Sequence, residues 1–178
     1  SRADLYGANL SETDLRTTNL YAANLSEATL NRGNVNENLL IAGANLSGVN
    51  LSGSDLRSVN LYATNLSGAN LSGANLSGVE LSSVNLNGTD LSRANLSGIS
   101  SREITGTPLA LPAGWKLSNG HLIGPSAYLG GADFSGTDLS GADLSGALLW
   151  DSNLTGVNLR WANLRGANLE ETNLEGTN

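Results

Sequence analysis

A leucine recurs every five residues over most of this 178-residue chain. The repeat runs over residues 5–40, resumes after a slip of one residue at 46–96, and returns at 129–174. It comprises 29 pentads, and the central residue is Leu in 27 of them. An α-helix would scatter residues five apart around its axis, and a flat strand would turn them to alternate faces. The repeat therefore predicts short extended sides joined by corners.

The other positions of the pentad are also restricted. The residue two before the central Leu is small, most often Ala, and we expect it to point inward with the Leu. The residue directly before the Leu is mostly Asn or Asp, and the two residues after it are often Ser-Gly. Gly takes the second corner position in 15 of the 29 pentads, but Glu, Arg, Ala or Trp occur there too. We therefore expect that a positive φ is not required at every corner.

Runs such as Ala-Asn-Leu-Ser-Gly at 69–73 and Ala-Asp-Leu-Ser-Gly at 142–146 are typical of these pentads. The pattern resembles the pentapeptide-repeat family over 145 of the 178 residues. The resemblance implies an all-β fold, a right-handed quadrilateral β-helix in which four pentads make one 20-residue coil. It implies about seven or eight such coils, with each Leu stacked on the Leu one coil away.

The repeat divides the chain into three parts, and the resemblance implies that they belong to one continuous solenoid. Residues 1–100 form a pentapeptide-repeat block with a bulge near 38–45, where one extra residue interrupts the period. Residues 101–126 form a loop and a degenerate joining segment, and residues 127–178 form a second repeat block.

The joining segment contains all three prolines of the chain and its only Lys and His. Composition predicts a loop at 105–113. After this loop the repeat is expected to resume in degenerate form, with one pentad at 115–117 and a second at 120–122. The string at 111–125 resembles a joining element of bacterial, often cyanobacterial, members of the family.

Composition argues against enzyme chemistry. The chain has no Cys, and its one His, His121, has no partner motif and is expected at a turn or in solvent. The Gly-rich runs are repeat corners, so no phosphate loop is indicated. We predict a non-enzymatic structural or protein-interaction solenoid with no metal and no cofactor. No apolar run reaches the length of a membrane span, and the compartment stays open: cytoplasm, or periplasm or lumen if a leader was removed.

The net charge of −7 argues against direct nucleic-acid binding through phosphate contacts. Residues 127–178 carry a net charge of −5, and Asp133, Asp138 and Asp143 occupy outward positions there. The resemblance implies an alternative function, an acidic DNA mimic that binds DNA gyrase or another topoisomerase. Against it, each of these Asp residues faces an Asn one coil on, as Asp133 faces Asn153, so the charge is diluted.

An apolar patch is the third candidate. Tyr128 and Leu148 share an outward position 20 residues apart and should be neighbours, with Trp150 on the same side. Either the joining loop covers this patch, or a partner, in our view a protein, binds it. A homo-oligomer formed by end-to-end stacking of coils is a further possibility. The candidate interaction surface comprises Tyr128, Leu148, Trp150, Asp133, Asp138 and Asp143, and the covering loop would supply Leu109, Leu111 and Trp115.

Overall fold

The computed structural model describes residues 3–10, 20, 23–25, 28, 41–57 and 59–178. Within them the chain pairs with itself through parallel β-bridges at intervals of 20 residues, as between Asn45, Asn65 and Asn85. Because each pentad is one side, a 20-residue interval means four sides per coil. The fold is an all-β, four-sided β-helix, as the family resemblance implied.

The central residues form a buried column along the axis. Leu56, Leu61 and Leu66 are fully buried, and the small residues two before the central position are buried beside them. Where that small residue is one of the described threonines, its hydroxyl donates to a backbone carbonyl: Thr89 Oγ1 donates to the carbonyl oxygen of Leu66 at 2.7 Å. Burial of one leucine contributes about 1.5–3 kcal/mol, so the column is the main source of stability.

Each corner is a β-turn that begins at the central residue. The amide of Ala74 donates to the carbonyl oxygen of Leu71 at 3.0 Å and closes one such turn. The second corner residue then donates to the next coil, as Gly73 does to the carbonyl oxygen of Ser92 at 2.8 Å. Corners therefore stack on corners along the rod.

The expectation about corner backbone angles is wrong. Every second corner residue that the structure describes in the pentads has a positive φ, whether or not it is glycine. Each turn has four residues, of which the central Leu is the first and the second corner residue is the third. The amide of the fourth residue donates to the carbonyl of the first, and only the third has a positive φ, which is the pattern of a type II turn. Stacking in register imposes this turn, and an L-residue there costs about 1–2 kcal/mol. The non-glycine residues held in this way are Ala63, Ser83, Arg93, Asp151, Trp161 and Glu171.

The slip of one residue in the repeat is visible in the pairing. Asn24 pairs with Asn45, 21 residues away, whereas Asn45 pairs with Asn65 at the usual interval of 20. The extra residue thus lies between Asn24 and Asn45. Residues 29–40, which include the first three residues of the predicted bulge near 38–45, lie outside the described residues.

The joining segment differs from its predicted form. Thr105 and Ala110 pair with residues 85 and 90, so the coil continues through the stretch expected to be a loop. The next residues form two antiparallel strands, β1 (Lys116–Ser118) and β2 (His121–Ile123), instead of two degenerate sides. The intervening Asn119 and Gly120 both have positive φ. A positive φ at both central residues is typical of a type I′ turn, which favours a two-residue hairpin.

The solenoid is continuous across this segment. Ser100 pairs in parallel with Tyr128, so the insertion lengthens one coil without breaking the rod. The buried core divides into two clusters that meet at the hairpin, between Leu122 and Ile123. Trp115 packs against both clusters and joins them.

His121 lies against the core and not in open solvent. Its ring meets Phe134 edge-on, with the centroids 5.2 Å apart. Its Nδ1 is buried without a hydrogen-bond partner. Burial lowers the pKa of His121 and the charge of Arg102 lowers it further, while a backbone group of Ser101 partly opposes them. His121 is therefore held as the neutral imidazole.

Candidate interaction surface

One side of the rod departs from the rest at the position before the central residue. Outside the joining segment, the bridge-forming residues at this position on the other sides of the described chain are Asn or Asp. On this one side, successive coils carry Glu80, Ser100, Tyr128 and Leu148, and then Asn168. We call this row of five residues the Tyr128 side.

Asn at this position has two structural tasks, which Asn65 illustrates. Its Oδ1 accepts from the backbone amide of Ser67 at 3.1 Å, which stabilises the corner. Its Nδ2 donates to Asn45 at 2.9 Å, and its Oδ1 accepts from Asn85 at 3.1 Å. These amide bonds join successive coils, and they repeat along the other sides.

Tyr128 and Leu148 perform neither task, because neither side chain has a carbonyl oxygen or an amide. Glu80, on the same side, still accepts from the backbone amide of Ser82 at 2.9 Å. The corners after Tyr128 and Leu148 lack this acceptor. The two substitutions thus remove local stabilisation and place apolar surface outside.

The aromatic residues of this region form one cluster, as their spacing predicted. Tyr128 and Leu148 form a parallel bridge, and the Tyr128 and Trp150 rings meet edge-on with centroids 6.0 Å apart. The exposed fractions of Tyr128, Leu148 and Trp150 are 38%, 37% and 37%. The indole of Trp150 folds back onto Gly130, where a Cβ would come 2.5 Å from its Cε2. The indole therefore packs directly on Gly130.

The three aspartates of the candidate surface lie elsewhere. Asp133, Asp138 and Asp143 belong to consecutive pentads, and each pairs with an Asn on its own side of the rod. Since one coil has four sides, each aspartate occupies one of the three sides other than the Tyr128 side. The six candidate residues therefore do not form one surface.

These aspartates are held in their charged form. The backbone amide and hydroxyl of Ser135 lower the pKa of the Asp133 carboxyl, and the Asn153 amide lowers it further. The Ser hydroxyl and backbone amide two residues on likewise lower the pKa of Asp138 and of Asp143. Asn153 Nδ2 donates to Asp133 Oδ1 at 3.0 Å, so an amide and not a second charge follows each carboxylate.

The structure adds three carboxylates that the candidate set omitted. Asp151, Glu170 and Glu171 are exposed and line a shallow depression together with Trp150. The 20-residue coil predicts this proximity from the sequence. Glu170 follows Trp150 by 20 residues, and Glu171 follows Asp151 by the same interval. We call Gly130, Gly131, Trp150, Asp151, Glu170 and Glu171 the Trp150 corner.

Of the two alternatives for the aromatic cluster, cover by Leu109, Leu111 and Trp115 of the joining loop is not what the structure shows. Leu109 is 75% exposed, while Leu111 packs against the first core cluster. Trp115 covers Gly124, where an added Cβ would overlap its indole. Lys116 Nζ donates to the carbonyl oxygen of Ser140 at 3.3 Å, which places the hairpin on another side of the second block.

The described residues contain no group of three or more His, Cys, Asp or Glu side chains arranged to hold a metal ion. No helix capable of crossing a bilayer is found in the part of the chain that the structure describes. The Tyr128 side and the Trp150 corner thus provide apolar contact, aromatic stacking and negative charge.

The family model for pentapeptide repeats matches in eight copies, over residues 1–35, 41–73, 60–98, 126–151 and 142–178. The chain belongs to the pentapeptide-repeat family. Membership places it among proteins that are generally structural or interaction proteins. No curated protein matches the chain.

Several solved pentapeptide-repeat structures are similar to this chain. HetL, involved in heterocyst differentiation regulation in the cyanobacterium Nostoc sp. strain PCC 7120, is 28% identical, with 99% of this chain and 72% of HetL covered and a TM-score of 0.30. Rfr23 from the cyanobacterium Cyanothece 51142 is 24% identical, with 87% and 58% covered and a TM-score of 0.23. QnrB1, a plasmid-mediated fluoroquinolone resistance protein, is 15% identical, with 90% and 64% covered and a TM-score of 0.32.

Proposed function

We propose that this pentapeptide-repeat chain is a non-enzymatic protein-interaction solenoid that binds its partner through the Tyr128 side and the Trp150 corner. The main support is the replacement of Asn or Asp by Tyr128 and Leu148 at two successive coils. Each replacement gives up a corner hydrogen bond and an inter-coil amide bond. Where a chain departs from its own stabilising pattern, function is the common reason.

The exposed apolar surface supports the same proposal. Tyr128, Leu148 and Trp150 are neighbours, and each leaves more than a third of its surface in contact with solvent. Contiguous apolar surface of this kind is typical of protein-binding sites, and Tyr and Trp are frequent anchors at such sites. The partner is a protein and not a nucleic acid, since the net charge of −7 repels phosphate.

The alternative function, an acidic mimic of DNA directed at DNA gyrase or another topoisomerase, has weaker support. A DNA mimic needs a continuous run of negative charge along one side. Asp133, Asp138 and Asp143 point from three different sides, and each is followed by an Asn on its own side. We expect no inhibition of gyrase supercoiling at about micromolar protein. Inhibition at that concentration would favour the mimic.

Site-specific photo-crosslinking tests the interaction surface. A benzophenone amino acid placed at Leu148 is compared with the same amino acid at Asn158, which has the same place in a pentad on another side. We expect crosslinked products in cells of the source organism from position 148 and not from position 158. Trp150→Ala should reduce the yield at 148 by about tenfold or more, as for an anchor residue. Equal yields at the two positions would contradict the proposal.

A further inference from the structure

We propose that the Trp150 corner binds an arginine of the partner protein, with the guanidinium between the open side of the indole and the carboxylates of Asp151, Glu170 and Glu171. This inference rests on the proposed function and names the partner chemistry: a segment with at least one exposed arginine beside apolar residues. It adds three acidic residues to the aromatic cluster. Asp151 lies next to Trp150, and Glu170 and Glu171 lie at the same corner on the following coil.

The indole of Trp150 is held in place on one side. It packs on Gly130, and the edge-on contact with Tyr128 at 6.0 Å restricts its tilt. The depression is lined by Trp150 and Asp151 and, on the coil that follows, by Glu170 and Glu171. The corner is also fixed in its backbone, because the amide of Asp151 donates to the carbonyl oxygen of Glu170 at 2.9 Å.

The three carboxylates are available to a cation. All three are exposed, and none forms a salt bridge with a Lys or Arg within the described part of the chain. The nearest cation along this corner is Arg102, on the coil before Gly130. Its Nη2 donates to the carbonyl oxygen of Gly130 at 3.1 Å, so its guanidinium is engaged one coil before Trp150 and two coils before Glu170.

This combination of groups favours arginine over other side chains. A guanidinium stacks on the face of Trp and is more weakly hydrated than an ammonium group. Its planar fork of N–H donors pairs with carboxylates in a fixed bidentate geometry, whereas a lysine ammonium acts as a compact, strongly hydrated point charge. Leu148 and Tyr128 then provide apolar contact for the residues next to that arginine.

Nuclear magnetic resonance of the whole chain tests the inference, because only three indole N–H signals occur, from Trp115, Trp150 and Trp161. The probes are three acetylated, amidated pentapeptides, Gly-Arg-Leu-Arg-Gly, Gly-Lys-Leu-Lys-Gly and Gly-Gln-Leu-Gln-Gly. The arginine peptide should shift the Trp150 signal saturably at up to about 10 mM peptide. Trp161, which is 92% exposed, is the internal control and should not move.

Two triple variants with the same change in net charge make the test specific. Asp151→Asn/Glu170→Gln/Glu171→Gln should weaken binding of the arginine peptide about fivefold, whereas Asp133→Asn/Asp138→Asn/Asp143→Asn should leave it within about twofold. The lysine peptide should bind about threefold more weakly than the arginine peptide.

Each other outcome overturns the inference. If the glutamine or lysine peptide binds as tightly as the arginine peptide, or if both triple variants weaken binding equally, the guanidinium site is wrong. If the arginine peptide leaves the Trp150 signal unmoved, the site is also wrong. In all these cases crosslinking at Leu148 that depends on Trp150 would still support the proposed interaction surface, so the two failures are distinguishable.

Discussion

The indole of Trp150 lies directly on Gly130, one coil earlier at the same corner of the rod. A Cβ on Gly130 would come 2.5 Å from Cε2 and 2.8 Å from Nε1 of the indole. Gly130 is buried beneath it and, unlike the second corner residues, has no positive φ. The glycine is thus needed for space and not for backbone freedom.

A double-mutant cycle tests this relationship. Gly130→Ala should displace the indole and lower the free energy of unfolding by about 1 kcal/mol. In a Trp150→Ala background, the same substitution should be neutral or slightly stabilising, because alanine restricts the unfolded chain. Chemical unfolding of the four proteins gives the coupling energy. A coupling energy of zero would show that the indole does not rest on Gly130.

The corner angles predict opposite effects for two substitutions at one corner. Gly73 and Arg93 are second corner residues on adjacent coils, with φ of 65° and 59°. Gly73→Ala meets no atom within 4 Å, so its cost is backbone strain alone and should be about 1 kcal/mol. Arg93→Gly relieves the same strain and should stabilise by up to about 1 kcal/mol, less the entropy of the added glycine. Thermal unfolding measures both, and two shifts of the same sign would refute the strain argument.

Trp115 is expected to couple the repeat blocks at 1–100 and 127–178. It packs on both core clusters, so Trp115→Ala should cost about 2 kcal/mol or more. The loss should also separate the unfolding of the two blocks into two transitions. Trp161→Ala is the control, because its side chain is 92% exposed, and should change stability by about 0.5 kcal/mol or less. A single transition in Trp115→Ala would argue that the hairpin and the direct pairing of Ser100 with Tyr128 couple the blocks without the indole.

His121 predicts a pH dependence of stability. Its pKa in the folded chain lies below the ordinary value of 6.5, mainly because of burial. The unfolded chain therefore takes up the proton first as pH falls, so this part of the stability is complete above pH 6.5 and decreases below it. His121→Leu should flatten the free energy of unfolding between about pH 7 and 5, a window above the titration of most carboxyl groups. An equal slope in both proteins would show that another group titrates there.

Much of the architecture could be predicted from the five-residue period together with the family resemblance, which implies four pentads per coil. The stacked leucines, the small inward neighbours and the Asn opposite each Asp follow from 20-residue coils. The placement of Asp133, Asp138 and Asp143 on three different sides also follows from that period, since consecutive pentads occupy consecutive sides. The hairpin at Asn119 and Gly120 was signalled by the Asn-Gly pair itself.

Other features depend on forces that the pattern does not encode. The positive φ at Arg93 or Trp161 is imposed by stacking with the corners of adjacent coils, and tertiary packing overrides the local preference of an L-residue. The contact of Trp150 with Gly130 depends on which way the indole turns, toward the coil before or the coil after. The packing of His121 on Phe134 results from the hairpin, which the reading as degenerate pentads missed.

The most direct test of the interaction surface restores the ordinary pattern on the Tyr128 side. Tyr128→Asn/Leu148→Asn regains the corner acceptors and the amide bonds between coils, and should leave the free energy of unfolding within about 1 kcal/mol. The measurement is the yield of partner crosslinking from a benzophenone amino acid at Asn168, the next coil on that side, with and without the double substitution. We predict that the yield falls by about tenfold or more while stability is kept. An unchanged yield would contradict a partner-binding role for this side.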